Sequence, residues 1–321
     1  MSSRLLVTGA AGFIGSHVCE ALVARGDEVV GVDNFDPFYP RAVKEANLAA
    51  LRAGPRFRLV EADVARDALP LGEVRAVLHL AAKPGVRPSL EDPAAYLEAN
   101  VVGTGRVFEA ARRAGVTTVV LASSSSVYGE TTPAPFAEAA PATAPISPYA
   151  ASKRAAELVA HAFAHLYGMR IACLRYFTVY GPRQRPDLAI HRFTAAIARG
   201  ETVAMYGDGS SERDYTYITD AVAGTVAALD WLGRAPTGTC TAFNIGGGAR
   251  VRLDRLLQLI AEVLGREARI ERRPDQPGDV PLTAADLRRA ARELGYRPRV
   301  GIEDGIRRFA RWYEETHGRQ S

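Results

Sequence analysis

The sequence predicts an α/β fold with a doubly wound parallel sheet and a smaller C-terminal α/β domain. Three observations favour this fold class. Apolar, strand-like runs alternate with helix-like segments through the first half of the chain, a glycine-rich turn follows the first run, and the pattern beyond Tyr180 is irregular and richer in Pro, Gly and Arg. Such alternation produces parallel strands joined by right-handed crossovers, with helices on both faces of the sheet.

The first predicted element is a buried strand over 5–7, and a turn with Gly9, Gly12 and Gly15 follows it at once. A helix is predicted over 16–25 because its apolar residues recur at helical spacing. Glycines let the backbone turn tightly and approach a pyrophosphate, which then rests at the N-terminus of the helix. The segment therefore predicts a dinucleotide-binding turn.

A second strand over 28–32 leads directly into Asp33. An acidic residue about 20 residues beyond the glycines completes the Rossmann-type fingerprint. Its carboxylate accepts a hydrogen bond from a ribose 2′-hydroxyl and would repel a 2′-phosphate. The predicted cofactor is therefore NAD rather than NADP.

Further strands are predicted at 57–60, 76–80, 119–122 and 171–175, with helices over 93–114 and 148–167. Ligands of such sheets bind beyond the carboxyl ends of the strands. The glycine turn, Asp33, residues 81–83 and the serines 123–126 all follow strands, so we expect them to converge on one site.

Helices are also predicted at 190–199, 220–232, 253–264 and 302–314. We assign residues 1–179 to a NAD-binding Rossmann domain and residues 180–321 to a domain that binds the substrate. The segment 216–245 is expected to return to the main sheet.

Composition limits the possible partners. The chain has 321 residues, 47% of them hydrophobic, and 40 Lys+Arg stand against 36 Asp+Glu. The basic residues are scattered, which does not favour nucleic-acid binding. The three cysteines have no metal-type spacing, no apolar run reaches membrane length, and no signal peptide precedes the first strand. These features predict a soluble cytoplasmic protein that binds no nucleic acid, membrane or metal.

Tyr149 and Lys153 are the strongest candidates for catalysis. Only two other lysines occur in the chain, Lys44 and Lys83. On a helix, residues four apart share one face. A free phenol has a pKa near ~10, and a nearby ammonium can bring it toward neutrality. The pair could therefore act as a general base that removes a proton from an alcohol.

Together these motifs resemble the extended short-chain dehydrogenases/reductases that act on nucleotide sugars. The glycine turn, Asp33, the serines before Val127 and the Tyr149/Lys153 pair carry the resemblance, and further matching segments lie at 175–182, 213–215 and 276–281. The resemblance covers almost the whole chain. Within the family, the segments 33–39 and 185–189 are most similar to bacterial 4-epimerases of UDP-hexoses, especially UDP-glucuronate 4-epimerases.

The resemblance implies a reaction at C4 of the sugar. Tyr149 takes the hydroxyl proton while hydride passes to NAD+, Lys153 lowers the phenol pKa and holds the nicotinamide ribose, and Ser124 hydrogen-bonds the reacting oxygen. The 4-keto sugar then turns over and recovers the hydride on its other face. NAD is regenerated in each cycle and should be held tightly.

The resemblance also implies which residues contact each ligand. The cofactor set is Gly9, Gly12, Phe13, Ile14, Gly15, Asp33, Asn34, Asp63, Val64, Leu80, Ala81, Ala82, Lys83, Asn100, Ala122, Tyr149, Lys153 and Tyr176. The substrate set is Val86, Arg87, Ser124, Ser125, Ser126, Thr178, Arg185, Arg213 and Asp279. Dimerisation through the helices over 93–114 and 148–167 is expected by the same analogy.

Substrate choice stays open between two sugars. Arg213 is the candidate for the UDP phosphates, since a guanidinium suits phosphate oxygens. The threonine at Thr178 resembles the residue at this position in the glucuronate enzymes, and Arg185 could pair with a C6 carboxylate. Arg183-Gln184, however, replaces the tryptophan-glycine that is usual in those enzymes, and Arg183 could itself bind the phosphate or the carboxylate. UDP-glucose/UDP-galactose epimerisation, with tolerance of N-acetyl sugars, is the alternative to UDP-glucuronate/UDP-galacturonate.

Other reaction classes rank lower. In related sugar 4,6-dehydratases an aspartate and a glutamate follow the catalytic hydroxyl, whereas Ser125 and Ser126 stand here. A hydroxyl cannot readily replace a carboxylate as general base. A reductase ranks below an epimerase by analogy. A noncatalytic NAD-binding regulator would not need to keep Tyr149, Lys153 and Ser124 together.

Overall fold

A computed structural model describes residues 4–274 and 280–318. The strands are β1 Arg4–Thr8, β2 Glu28–Asp33, β3 Phe57–Glu61, β4 Val74–His79, β5 Thr118–Ser124, β6 Arg170–Tyr176, β7 Thr178–Tyr180, β8 Val203–Tyr206, β9 Glu212–Tyr217, β10 Cys240–Ile245, β11 Arg250–Arg252 and β12 Ile270–Arg273. Seven of them form a parallel sheet in the order β10-β6-β5-β4-β1-β2-β3. The predicted doubly wound parallel sheet is confirmed.

Helices connect the strands and cover both faces of the sheet. They are α1 Phe13–Ala24, α2 Arg41–Asn47, α3 Ala49–Arg52, α4 Val86–Glu91, α5 Pro93–Leu97, α6 Gly103–Arg113, α7 Pro148–Tyr167, α8 Ala189–Ala198, α9 Ile218–Leu232, α10 Leu253–Leu264 and α11 Ile302–His317. A 3₁₀ turn spans Ser125–Tyr128, and π-helical turns span Glu98–Val102 and Ala290–Leu294.

The core lies in two apolar layers, one on each face of the main sheet. Leu5 and Val7 of β1 belong to one layer, and Leu6 belongs to the other. Successive side chains of a strand point to opposite faces, so a strand covered on both sides is apolar at every position. This explains why the strand over 5–7 reads as a continuous apolar run.

The segment 216–245 contributes α9 and β10. Strand β10 pairs in parallel with β6, with Asn244 opposite Arg175, and α9 packs against β6 and α1. Two smaller sheets, β11-β9-β7 and β12-β8, lie outside the main sheet. Their strands come from residues 178–273, the region that reads as irregular in the sequence.

Helix α7 has the predicted bounds, and its ends show why. The Ser147 side chain accepts a hydrogen bond from the Ala150 N–H at the N-cap, Pro148 stands in the first turn, and Gly168 ends the helix with a left-handed φ of 66°. Serine caps, early prolines and terminal glycines are the standard signals of helix ends.

Several predicted boundaries differ from the structure by a few residues, and two of the differences have a clear cause. Helix α1 begins at Phe13 rather than at 16, because the Ser16 N–H already donates to the Gly12 carbonyl at 3.0 Å and the glycine turn merges with the first helical turn. Strand β5 continues to Ser124, because Ser123 and Ser124 still pair with Arg175 and Tyr176 of β6.

The helix predicted over 93–114 is divided by the π-helical turn at Glu98–Val102, which carries Asn100. Its N-terminus is capped by Asp92, whose side chain accepts from the Ala95 N–H at 3.1 Å. A π-turn adds a residue to one helical turn and often marks a functional position.

Candidate active site

The glycine turn brings β1 and α1 unusually close together. Gly9 has a φ of 70°, and a Cβ there would lie 2.8 Å from the Ala81 nitrogen. A Cβ at Gly15 would meet the carbonyl oxygen of Gly9. No side chain caps α1 at Gly12, so the N–H groups of the first helical turn point outward without a side-chain acceptor. Such a helix N-terminus favours an anion.

Asp33 lies at the carboxyl end of β2 beside this turn and is buried. One carboxylate oxygen accepts from the Ala11 N–H at 3.0 Å and the other from the Phe35 N–H at 2.8 Å. Each carboxylate oxygen has a second lone pair that could accept a ribose hydroxyl. Next to it, the Asn34 amide donates to Asp63 at 3.3 Å, so these two predicted cofactor residues lie together.

Lys44, which the motif analysis did not single out, is buried beside Asp33. Its ammonium nitrogen lies 3.9 Å from an Asp33 oxygen and donates to the Asp36 carbonyl at 2.8 Å. Burial lowers the pKa of Lys44, and the charge of Asp33 opposes that shift. Lysine is so rare in the chain that its presence at position 44 could have indicated a functional residue.

Asn100 fastens the loop after β4 to the tyrosine helix. Its side-chain oxygen accepts from the Lys83 N–H at 2.7 Å, and its amide nitrogen donates to the Lys83 carbonyl at 3.0 Å and to Ser152 Oγ at 2.9 Å. Both amide hydrogens are therefore used within the protein. Asn100, predicted as a cofactor contact, orients the Lys83 loop and has no hydrogen left to donate to a ligand.

His79 connects the same loop to β1 through a chain of hydrogen bonds. Thr104 Oγ1 donates to the Asn100 carbonyl at 2.6 Å, so it accepts from His79 Nε2, 3.1 Å away. His79 Nδ1 then accepts from the Thr8 hydroxyl at 2.7 Å. Burial, with the charge of Lys153, lowers the pKa of His79 to about 3. The imidazole is neutral and rigidly held beneath the site.

Tyr149 lies in the first turn of α7 and is half-buried. Its N–H donates to Ser89 Oγ of α4 at 3.1 Å, and its ring packs edge-on against Tyr96 with centroids 6.3 Å apart. Ser124, at the end of β5, lies close enough to the Tyr149 phenol to act against the rise of its pKa. Ser124 also lies 3.1 Å from the Ser126 hydroxyl. The structure thus brings the predicted Ser124 and Tyr149 together, and Ser89 and Tyr96 were missed.

The charges around Tyr149 differ from the prediction. Burial raises the pKa of Tyr149, and the Ser124 hydrogen bond and the charge of Arg185 oppose this. Lys153, which was expected to lower that pKa, is not among the groups that act on the phenol in the protein alone. Arg185, on the loop after β7, is the cation whose charge acts against this rise.

Lys153 is buried one turn further along α7. Burial lowers its pKa to about 8, and the carboxylate of Glu157 acts in the opposite direction. Within residues 4–274 and 280–318, its ammonium makes no hydrogen bond or ion pair. A buried ammonium that faces the cleft without a partner fits the ribose hydroxyls of a dinucleotide, as the uncapped N-terminus of α1 fits its pyrophosphate.

A buried ion pair supports the catalytic helix from below. Glu157 accepts from Arg175 at 2.9 and 2.8 Å, from Ser123 at 2.6 Å and from Arg154 at 2.9 Å. Burial acts to raise the pKa of Glu157, but the hydrogen bonds and charge of Arg175 hold it below its usual range. This pair ties α7 to β5 and β6. No local signal in the sequence predicts this pair, because nothing links residues 157 and 175 before the chain folds.

The predicted substrate residues occupy the loops around this cleft. Arg185 makes a two-pronged ion pair with Asp187, with both nitrogen–oxygen distances at 2.9 Å, and its guanidinium lies 5.4 Å from the Phe38 ring. Arg183 points away, toward α1, where it donates to Glu20 at 2.6 Å. The charge of Arg185, rather than that of Arg183, therefore acts on Tyr149.

The other predicted substrate residues lie on several elements. Arg213 is half-buried on β9 and donates to the Glu212 carbonyl at 3.0 Å, and Thr178 pairs with Tyr215 between β7 and β9. Arg87 stacks on Tyr206 at 4.8 Å, next to Val86 at the start of α4. Ser125 begins the 3₁₀ turn after β5. Asp279 lies outside the described residues.

The remaining cofactor candidates follow the carboxyl ends of the strands. Leu80, Ala81 and Ala82 follow β4, Val64 follows β3, and Ala122 lies in β5. Tyr176 ends β6, but its hydroxyl donates to Thr225 at 2.6 Å, since Thr225 itself donates to the Ala221 carbonyl. The Tyr176 hydroxyl is thus directed into α9 rather than toward the cleft.

Two negative findings apply to the part of the chain that the structure describes. It contains no group of three or more His, Cys, Asp or Glu side chains that could hold a metal ion. None of its helices combines the length and the apolar character that a membrane span requires.

Comparison with known proteins gives consistent matches. Residues 5–246 match the model of the NAD dependent epimerase/dehydratase family. A UDP-glucuronate 4-epimerase of Thermodesulfobacterium geofontis is 38% identical over 317 residues, covering 97% of this chain and 96% of that protein. The resemblance that the motifs indicate is confirmed.

Solved structures match over almost the whole chain. UDP-glucuronic acid 4-epimerase from Bacillus cereus, in complex with UDP-glucuronic acid and NAD, superposes with a TM-score of 0.92 at 35% identity, covering 98% of this chain and 100% of that chain. DesIV, a dTDP-glucose 4,6-dehydratase from Streptomyces venezuelae with NAD bound, gives a TM-score of 0.90 at 36% identity, with 98% of each chain covered.

Proposed function

The chain belongs to the NAD dependent epimerase/dehydratase family, and from that premise we propose that it is an NAD-dependent 4-epimerase of UDP-hexoses with UDP-glucuronate/UDP-galacturonate as its leading substrate. One observation carries the proposal. Ser124 at the end of β5 and the guanidinium of Arg185 both lie close enough to the Tyr149 phenol to act against the rise of its pKa. A general base, a hydrogen-bond donor and an anion-binding group therefore surround one position.

The residues around Ser124 favour epimerisation over dehydration. Elimination of water needs a general acid and a general base next to the reacting carbon. Ser125 and Ser126 follow Ser124, and Ser126 N–H donates to Ser124 Oγ at 3.2 Å within the 3₁₀ turn. Neither side chain is a carboxylate. This chain has a fold similar to that of a dehydratase. It lacks, next to Ser124, the carboxylic acid and the carboxylate base that elimination of water would use.

Each catalytic side chain then has a definite task. Bound NAD supplies the hydride acceptor and later the hydride donor. Tyr149 takes the proton of the C4 hydroxyl, and Ser124 holds the oxygen in place as a neutral donor. Lys153, whose buried ammonium has no partner among the described residues, binds ribose hydroxyls of the cofactor. Asn100, Ser152 and Ser89 hold the helix and the loop in register.

Arg185 supports recognition of a sugar carboxylate. A guanidinium forms two parallel hydrogen bonds with a carboxylate, and this geometry is specific. Arg185 already shows that geometry with Asp187. A substrate carboxylate could exchange with Asp187 or share the guanidinium with it. The same ion pair favours the second candidate, UDP-glucose/UDP-galactose, because it reduces the positive charge available for an anionic sugar.

Turnover of UDP-glucuronate and UDP-glucose by the native enzyme and by Arg185→Ala tests the proposal. We expect the native enzyme to prefer UDP-glucuronate and the variant to lose that preference while it still converts UDP-glucose. Arg199→Ala is the matched control, because Arg199 makes the same two-pronged pair with Glu201, at 2.8 and 2.9 Å, on a remote surface. A native preference for UDP-glucose would replace the leading substrate. If no UDP-sugar is converted, a noncatalytic NAD-binding protein would be favoured.

We also propose a homodimer that forms through α5, the π-turn after it and α7. These elements pack together, and Leu97, Val102, Leu158, Leu166 and Tyr167 on them are between 46% and 66% exposed. A second copy could bury this apolar face in a symmetric helix bundle. We expect sedimentation to give a dimer that Leu158→Arg disrupts and that Ile270→Arg, at an exposed site on β12, leaves intact. A native species of 34.5 kDa would contradict the dimer.

The cytoplasm is the proposed location, because NAD and UDP-sugars are produced there and the enzyme needs both. Cell fractionation with a tagged copy of the full chain tests this. We expect the protein in the fraction that contains other NAD-dependent enzymes of sugar metabolism, and recovery from membranes would contradict the proposal.

A further inference from the structure

Arg183 makes a set of contacts that the proposed chemistry does not use. Its guanidinium donates to Glu20 at 2.6 Å, to His17 Nδ1 at 3.1 Å and to Ser16 Oγ at 3.3 Å. All three partners lie on α1, 163 to 167 residues earlier in the chain. Ser16 in turn donates to the Phe13 carbonyl at 3.1 Å, in the first turn of that helix. The guanidinium therefore joins the loop after β7 to the helix whose N-terminus fits the pyrophosphate.

The backbone at Arg183 is held in an unusual conformation. Its φ is 66°, in the left-handed region that favours glycine. A side chain at such a position costs free energy unless its contacts offset that cost. The three hydrogen bonds to α1 are the contacts that can do so, and burial with the charge of Arg183 keeps His17 a neutral acceptor by lowering its pKa to about 3.

Gln184 fixes the other side of the same loop. It is buried, its amide nitrogen donates to the Val179 carbonyl at 3.2 Å, and its side-chain oxygen accepts from the His191 N–H at 3.2 Å. His191 Nδ1 lies 2.7 Å from the Gln184 carbonyl, which can only accept, so that nitrogen carries the hydrogen. Residues 183 and 184 thus anchor the loop to α1 on one side and to α8 on the other, and Arg185 follows immediately.

We propose that Arg183 is a positioning residue, and that its clasp with Glu20, His17 and Ser16 holds Arg185 in its place beside Phe38 and joins this loop to the cofactor-binding helix. The inference rests on the proposed function and deepens it, because it explains how a loop outside the main sheet presents its guanidinium to the sugar. Arg185 lies two residues after Arg183, so it can move freely only if the contacts between Arg183 and α1 break. The clasp therefore sets the affinity for the anionic sugar, while the chemistry at Tyr149 proceeds as before.

Kinetics of the holoenzyme test the clasp with Arg183→Asn, Arg183→Lys and Glu20→Gln. Asparagine tolerates a left-handed backbone, so it removes the guanidinium without adding strain. We expect Arg183→Asn to raise KM for UDP-glucuronate about fivefold to twentyfold, because it removes charge-assisted hydrogen bonds that are partly exposed to solvent. The kcat and the KM for UDP-glucose should change less than about twofold. Lysine should restore part of the affinity, since it keeps the charge but not the fork.

Double variants separate positioning from simple stabilisation. If Arg183 acts through Glu20, Arg183→Asn with Glu20→Gln is no worse than either change alone, because interacting sites are not additive. If it acts through Arg185, adding Arg183→Asn to Arg185→Ala leaves KM for UDP-glucuronate unchanged. A fall in thermal stability with an unchanged ratio of the two KM values, or an equal rise for both sugars, would overturn the inference.

A second measurement judges the clasp even if the substrate assignment fails. Hydrogen exchange of the holoenzyme reports the opening of residues 181–188 without any sugar. We expect Glu20→Gln to speed exchange in this loop severalfold, whereas Glu201→Gln, which breaks an exposed ion pair elsewhere, should leave it unchanged. Absence of UDP-glucuronate turnover with faster loop exchange would reject the substrate alone. Unchanged exchange would reject the clasp, whatever sugar the enzyme prefers.

Discussion

Replacing Glu157 by Gln perturbs the support of the catalytic helix without changing its shape. The native side chains of Glu157 and Arg175 are each 4% exposed, and the carboxylate accepts hydrogen bonds from Ser123, Arg154 and Arg175. Glutamine keeps one oxygen for Ser123 but removes the charge that compensates Arg175. Breaking one side of a buried ion pair typically costs about 3 to 5 kcal/mol, because the other charge stays buried and unpaired.

That cost is large for a protein of this kind. Native proteins are stable by only about 5 to 15 kcal/mol, so we expect Glu157→Gln to lower the free energy of unfolding by about a fifth or more. Chemical denaturation of the native protein and the variant measures the change. Replacing Glu157 and Arg175 together by apolar residues of similar volume should recover much of the loss, since no unpaired charge then remains.

The same substitution has a functional signature. Glu157 is the charge that does most to keep Lys153 protonated against burial, which lowers the Lys153 pKa to about 8. Without that carboxylate the pKa falls further. The ammonium is lost as pH rises through its pKa, so the alkaline limb of the activity profile should move to lower pH. The reasoning fails if Glu157→Gln costs less than about 1 kcal/mol, a value typical of exposed pairs, or if the alkaline limb stays in place.

Three further predictions concern single residues. Tyr149→Phe should reduce kcat by about 10² to 10⁴, the usual contribution of a general base, while NAD stays bound, and loss of cofactor absorbance would contradict this. His79 is buried and its pKa is lowered to about 3. The neutral imidazole contributes stability that is complete above pH 6.5 and is lost as pH falls toward 3. Denaturation curves should show a loss of about 1 kcal/mol between pH 7 and 5.5, and His79→Gln should abolish this pH dependence. Gly15→Ala should weaken cofactor retention, because its Cβ would meet the Gly9 carbonyl, and normal NAD content after purification would contradict the close approach.

Much of the fold could be predicted from local patterns. The apolar runs that became β1 and β2, the glycine turn and the bounds of α7 follow from hydrophobic periodicity, caps and the conformational freedom of glycine, which depend on neighbours in the chain. The cofactor class follows from the same local signals, because a tight glycine turn before a helix and a carboxylate at the next strand end act together wherever that unit occurs.

The details of the site depend on contacts between distant segments. The Arg183–Glu20 contact joins residues 163 positions apart, and Glu157 meets Arg175 through the pairing of β5 with β6. Sequence motifs named Arg185 as the candidate for the sugar carboxylate and left Arg183 as the alternative. Only the path of the loop directs the Arg183 guanidinium to α1 and the Arg185 guanidinium to Asp187 and Phe38.

The sequence alone determined the doubly wound sheet and the NAD fingerprint, and it named Tyr149 and Lys153 as catalytic candidates, since spacing along helices and strands fixes which side chains share a face or an edge. The tertiary structure decided the electrostatics. Burial raises the pKa of Tyr149, and Arg185 rather than Lys153 opposes that shift. Asn100 and Tyr176 donate their side-chain hydrogens to other groups of the protein. Desolvation and charge act through space, so they depend on how the chain folds back on itself rather than on the order of its residues.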